Sequence, residues 1–188
     1  MNMKILDKNL EKSFTINKSK FYCFAYFINN KEDVKNILLK IKKEFSDASH
    51  ICYGYILDDK TYYYSDGGEP NGTAGQPIYN AIKSLKLNFC LVVVVRYFGG
   101  IKFGTGPLRQ TFKDITIKTL QSTKFVDGYI GDVLTFKVSY GGLKNFVNKF
   151  KKIVTQIEYK TNYALVSLVG IKDEIEKITD IKPCTIQI

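Results

Sequence analysis

Two stretches of the sequence hold residue types that can do chemistry at a spacing that lets them act together. Asp66 to Gln76 (DGGEPNGTAGQ) sets two carboxylates, Asp66 and Glu69, among four glycines, and Gly99 to Arg109 (GGIKFGTGPLR) holds four more glycines with Lys102 and Arg109. Arg96 stands just before the second stretch, and it and Arg109 are the only arginines among 28 basic residues. A guanidinium is a planar fork that grips phosphate or carboxylate through two parallel hydrogen bonds, whereas a lysine is a point charge. Each stretch also precedes a predicted helix opening near a proline, Pro77 or Pro107. Free backbone N–H groups and the positive end of a helix dipole attract anions there. The pattern supports a phosphate-binding groove in which Gly72, Thr73, Gly75, Gly99, Gly100, Gly104 and Gly106 admit the backbone closely and Arg96, Lys102 and Arg109 supply charge. Glycines that only permit tight turns would give the same pattern.

Known nucleotide signatures are absent. GxxxxGK[ST] does not occur, and Gly100-Ile-Lys-Phe-Gly-Thr-Gly106 does not match GxGxxG, which excludes a Walker A loop and a Rossmann fingerprint. Asp66 and Glu69 are spaced to hold a hard cation such as Mg²⁺ or to act as an acid/base pair. Alternatively, Asp66 caps a turn and Glu69 pairs with one of the arginines. His50, the sole histidine, and Cys52 fall on one face of a predicted strand and suggest a base and a nucleophile. Residues two apart on a strand have Cα atoms about 6.5 Å apart, farther than a side-chain hydrogen bond, so a histidine bonded to a loop is the competing reading. Tyr53, Tyr55, Tyr62, Tyr63 and Tyr64 offer faces on which RNA bases would stack, or the ordinary packing of a sheet.

The chain that must position these residues has 188 residues, 45% of them hydrophobic, enough for one large or two small domains without covalent staples. Cys23, Cys52, Cys90 and Cys184 are far apart with no CxxC, which predicts reduced, buried thiols and no metal site or cofactor. No apolar run reaches the ~18 residues of a membrane span and Met1 to Lys20 lacks a signal-peptide centre, so a cytoplasmic location is expected. The net charge of +10 favours a polyanionic partner. That surplus is uneven: residues 1–124 carry 19 basic and 11 acidic side chains (+8), and residues 125–188 carry 9 and 7 (+2).

Patterning predicts a tail or leading strand over residues 1–18, then a strand over Lys20–Ile28 and an amphipathic helix over Lys31–Phe45. Strands follow at His50–Leu57 and Thr61–Ser65, joined by a turn at Asp58-Asp59-Lys60, then a helix from Pro77 to Leu85. Phe89–Val95 is a continuous buried strand, and Pro107 opens a helix to about Gln121. Residues 127–188 read as strand Val133–Tyr140, helix Leu143–Lys151, strands Ile153–Tyr159 and Tyr163–Gly170, helix Asp173–Ile178 and strand Ile181–Ile188. That βαββαβ order is the split βαβ, or ferredoxin-like, pattern.

Three blocks, Ala48-Ser-His-Ile-Cys-Tyr-Gly-Tyr55, Ser65-Asp-Gly-Gly-Glu-Pro-Asn-Gly-Thr-Ala-Gly-Gln-Pro-Ile78 and Val93-Val-Val-Arg-Tyr-Phe-Gly-Gly-Ile-Lys-Phe-Gly-Thr-Gly-Pro-Leu108, closely resemble the motifs of the YigZ/IMPACT family in order and spacing. The resemblance covers about Ser19 to Gln121 and implies an α+β protein: a ribosomal protein S5 domain 2-like N-terminal domain, residues 19–126, followed by the ferredoxin-like domain, similar to one in elongation factor G. Eukaryotic members are translation regulators that compete for the activator of a stress-responsive kinase through an additional N-terminal domain. Met1 to Lys20 is too short to be that domain, so an association with translation or RNA is what the resemblance implies here. The family usually has Asp where Gly67 stands, Arg where Gln76 stands, Gly where Pro107 stands and Arg at Gln110, and Arg109 sits one residue earlier on a different helix face.

The expected function is thus a non-enzymatic cytoplasmic regulator that binds RNA, the ribosome or a translation factor through a basic, glycine-rich groove. The alternatives are a metal-dependent phosphate-ester or nucleotide hydrolase using Asp66 and Glu69, with His50 as a further catalytic candidate, and a protein-binding adaptor.

Overall fold

The computed structural model describes residues 2–129, 132–151, 153–170 and Thr179. The chain forms two compact units, Asn2–Gly128 and Tyr129–Ile188. The first runs β1 (Asn2–Leu6), β2 (Leu10–Ile16), β3 (Ser19–Phe27), α1 (Lys31–Glu44), β4 (His50–Ile56), β5 (Tyr62–Ser65), α2 (Gly75–Ser84), β6 (Cys90–Tyr97) and α3 (Thr105–Leu120), with β7 (Phe125–Tyr129) at the boundary. The leading segment supplies two strands, β1 and β2, where the sequence suggests a tail or one strand.

Strands β2 to β6 make one antiparallel sheet in the order β2-β3-β6-β4-β5, while β1 pairs with β7 in a separate ribbon. Strand β6 is central, and its side chains alternate between two cores. Cys90, Val92 and Val94 pack with Cys23, Cys52, Ile78 and Phe112 on the face that carries α2 and α3. Leu91, Val93 and Val95 pack with Phe24, Val34 and Ile41 on the face that carries α1. A strand covered on both faces has no polar side, so its sequence is an unbroken apolar run. Each fully buried valine or leucine contributes on the order of 1.5–3 kcal/mol. Arg96 takes the next place on the α2/α3 face after Val94, so a charge ends an apolar row, and it too is buried.

Local signals explain the flanking elements. Asn30 caps α1 by accepting from the Asp33 N–H at 2.9 Å, Glu32 and Asp33 lie in the first turn, and Lys42 and Lys43 in the last, as the helix dipole favours. The turn after β4 is held by the Asp58 carboxylate, which accepts from the N–H groups of Lys60 and Thr61; these bonds lower its pKa. Between β2 and β3, Asn17 and Lys18 both have positive φ, 46° and 60°, the geometry of a two-residue type I′ hairpin turn. Helices α2 and α3 each begin two residues before Pro77 and Pro107. The first-turn N–H groups of a helix have no internal partner, so a proline in that turn removes nothing the helix uses.

The second unit contains β8 (Asp132–Ser139), α4 (Tyr140–Lys149), β9 (Val154–Tyr159) and β10 (Tyr163–Gly170). Its antiparallel sheet has the order β8-β10-β9, so β10 lies between two strands joined through α4. Phe136, Val138, Phe146, Phe150, Val166 and Leu168 form its core. The expected helix Asp173–Ile178, the strand Ile181–Ile188 and Cys184 lie outside the described residues. No helix among the described residues is long and apolar enough to cross a membrane.

Candidate functional site

The two glycine stretches meet through a buried ion pair. Arg96 Nη1 donates to both oxygens of Glu69, at 2.7 and 2.9 Å, and Nη2 donates to Ser19 Oγ at 3.3 Å. Arg96 is 4% exposed and Glu69 7%, so neither presents its charge to solvent. In the sheet, Arg96 is in register with Phe21 on β3 and His50 on β4. His50 Nε2 lies 4.0 Å from Glu69 Oε1, on the half-exposed side of the pair. The guanidinium also lies among the rings of Phe103, Phe21 and Phe98, 4.9, 5.4 and 5.4 Å from their centroids. Arg96 Nε is buried with no hydrogen-bond acceptor among the described residues, and these aromatic faces are its surroundings. Cation–π attraction of this kind offsets part of its desolvation.

This corrects the reading of Arg96 as a contact for an external phosphate, because its two Nη groups are taken by Glu69 and Ser19. The physical reason is its position on β6: a side chain pointing to the α2/α3 face of the central strand enters the core, where a charge persists only when paired.

Asp66 closes the first stretch in a similar way. Its Oδ1 accepts from the N–H groups of Ala74 and Gly75 at 2.9 and 2.8 Å, and its Oδ2 from Gly72 at 2.8 Å. The carboxylate therefore occupies the N-terminus of α2, which has no cap from its own adjoining residue. Thr73 Oγ1 donates to the Pro70 carbonyl at 2.6 Å. Gly72, Thr73 and Gly75, expected around an external anion, are engaged by groups of their own loop. Gly67, where the resemblance leads one to expect Asp, has φ +56°, and a Cβ there would stand 1.9 Å from the Ile51 carbonyl oxygen. On this backbone only glycine fits.

The hydrolase reading loses its two carboxylates to these contacts. Among the described residues no group of three or more His, Cys, Asp or Glu side chains is placed to hold a metal ion. Cys52 Sγ donates to the Asp66 carbonyl at 2.9 Å, and burial, reinforced by the charges of Glu69 and Asp66, pushes its pKa well up. A thiol held in that form is not the nucleophile that pairing with His50 would require.

The second stretch is open. Gly100, Lys102, Gly104, Thr105, Gly106, Pro107 and Arg109 are exposed and Gly99 is half-buried. Helix α3 starts after Gly104 at φ +76°, with no side-chain cap and no acidic residue in its first turn. Gln110, where the resemblance leads one to expect an arginine, donates to Asp114 at 2.7 Å. Gly99 anchors the start of the loop: its N–H donates to Ser19 Oγ at 3.1 Å, and a Cβ on it would meet the Lys18 carbonyl at 2.1 Å. Ser19 thus joins β3, Arg96 and the loop. It escaped the sequence reading because 77 residues separate it from Arg96; its only local signal is a small polar residue opening an aromatic strand. The tyrosines of β5 are exposed, and Tyr62 stacks on Tyr79 at 4.8 Å while Tyr63 lies against Tyr53 and Tyr55.

A mixed α+β protein of two units, with paired glycine loops locked by an arginine on the central strand, is the class these features define. The sequence model of the Impact N-terminal domain matches residues 17–120, and the chain belongs to the IMPACT family. An IMPACT family member of Bacillus subtilis, YvyE, is 28% identical over 168 residues, covering 87% of this chain and 77% of the relative. A member from Haemophilus influenzae is 38% identical over 101 residues, 52% of this chain and 49% of the relative. YigZ of Escherichia coli is 34% identical over 101 residues, 52% of this chain and 50% of the relative. The match thus spans about half the length of the last two. A crystal structure of a hypothetical protein, at 21% identity, aligns with a TM-score of 0.69 over 99% of this chain and 98% of that one, and shares its fold.

Proposed function

We propose that the protein is a translation-associated regulator that binds RNA or the ribosome through the basic first unit. The observation that carries this reading is the asymmetry of the two loops. The first is filled by Asp66, whereas the second leaves Lys102, Arg109 and the uncapped start of α3 in solvent. Most of the positive charge of the chain belongs to the same unit, and cationic side chains beside free N–H groups suit phosphate. Family membership supports the link to translation. In this reading the first unit is the ribosomal protein S5 domain 2-like module and the second the ferredoxin-like βαββαβ module, which the order β8-β10-β9 supports. A translation factor with an acidic surface is the second candidate partner, favoured by the same charge.

Co-sedimentation with ribosomes over a salt series tests the proposal. Phosphate contacts predict binding whose logarithm falls linearly with the logarithm of salt concentration. No binding at low salt would remove RNA and ribosome as partners.

A further inference from the structure

Beside the second loop, on the α1 face of the sheet, lies a concavity of about 350 Å³ lined by Lys18, Lys20, Tyr22, Tyr97 and Phe98. Three observations show that it is held in place. Ser19, fully buried, accepts from Arg96 and Gly99 and fixes the β2–β3 hairpin tip against the loop. Gly99 lets the Lys18 backbone approach so closely that no Cβ would fit between them. The Tyr97 hydroxyl donates to Asp47 at 2.7 Å, and the Tyr97 ring meets Tyr22 edge to face at 6.1 Å, so both rings are oriented.

The residue types match a divided ligand. Phe98 is 46% exposed and Lys18 and Lys20 are exposed, while Phe45, where α1 ends, packs on Tyr22 at 5.5 Å. Lys20 and Tyr97 are paired across β3 and β6. Lys18 sits at φ 60°, where glycine is unstrained and a side chain is not. Aromatic faces stack any base and ammonium groups neutralise the adjoining phosphate. An acidic peptide would use the lysines and leave the rings idle. A duplex keeps its bases stacked away from such rings.

We infer that this concavity is a subsite for one unstacked nucleotide of single-stranded RNA, with the base stacked on Phe98 and bordered by Tyr22 and Tyr97, and the phosphate on Lys18 and Lys20. It rests on the reading that the basic unit binds RNA, and adds which strand form is bound and where.

Fluorescence anisotropy of the full chain with a labelled eight-nucleotide RNA, single-stranded and as a duplex, tests it beside Phe98→Ala and Lys18→Gly. The single strand is expected to bind more tightly than the duplex, and Phe98→Ala to weaken it about tenfold. Lys18→Gly should reduce the slope of log affinity against log salt by about 0.7. The Phe98 ring also covers Arg96, so its loss could disturb folding. Lys18→Gly relieves its turn, and its melting temperature should hold or rise. Single-stranded RNA bound equally by wild type and both variants would overturn the subsite and leave the RNA reading standing. RNA ignored by the wild type would overturn both. Polyglutamate displacing RNA at equal charge concentration, with both variants impaired toward it, would assign the concavity to an acidic protein and overturn the nucleotide.

Discussion

The two glycine loops look alike in sequence and differ in what fills them. Each follows a strand, is rich in glycine and leads into a helix whose third residue is proline. In the first, Asp66 accepts from three backbone N–H groups and Glu69 is clamped by Arg96, so the protein supplies its own anions. In the second, no carboxylate lies in the first turn of α3 and the loop is exposed. Loop composition therefore predicts that a helix N-terminus attracts negative charge but does not say whose charge it is. A resident carboxylate makes such a loop a structural brace, and its absence leaves the loop open to solvent.

The comparison is broken most forcefully at the ion pair. Glu69→Ala leaves the Arg96 charge buried and unpaired, and a denaturant titration should show a loss of about 3–5 kcal/mol. Glu69→Leu combined with Arg96→Met should recover most of it, since no charge then remains buried; failure to recover would show that the pair fixes the backbone in another way. Next comes Asp66→Ala, which strips the acceptor from the start of α2 and should cost about 2 kcal/mol by the same measurement. A third effect, smaller for each residue and pH unit, concerns the α2/α3-face core around the loops. Burial pushes the Cys23 thiol up to about 12 and raises Cys52 and Cys90 as well. The unfolded thiols ionise near 8.5, so above that pH the unfolded chain releases protons that the folded chain retains, and stability falls as pH rises. A pH series of melting curves should show each thiol contributing about 1 kcal/mol of loss per pH unit between about 9 and 11, reduced when Cys23 is replaced by Ala. The smallest stability effect is expected at the open loop: Lys102→Ala with Arg109→Ala should change stability by less than about 0.5 kcal/mol. The same pair should weaken ribosome co-sedimentation and flatten its salt dependence. A large stability loss there would mean that this loop, too, is a brace.

Much of this arrangement is legible in the amino-acid sequence. The apolar run of β6, the helical period of α1 and the Asp58-Asp59-Lys60 turn each carry a local signal, and each element lies within a few residues of its expected place. The site was legible only as a set of alternatives. Sequence rules look for a cap immediately before the helix, whereas Asp66 acts on N–H groups six to nine residues downstream. Which arginine Glu69 would choose depends on the direction in which position 96 points from β6, a property of strand pairing that one sequence does not display. Strand β7 was unreadable, and a leading strand was only one of two options for residues 1–18, for a related reason: the pairing of β1 with β7 joins opposite ends of the first unit, and neither strand has strong patterning of its own.

The edges of the five-stranded sheet limit how partners can be recruited. Strand β2 lies at one border and sets Glu11, Lys12, Ser13 and Thr15 in solvent, while β5, at the other, is four residues long and bounded by Asp66. Charged or very short borders discourage a foreign strand from zipping onto a sheet. Recruitment by strand addition is therefore disfavoured on both sides, and other molecules are left to engage the sheet through its loops and uncovered faces.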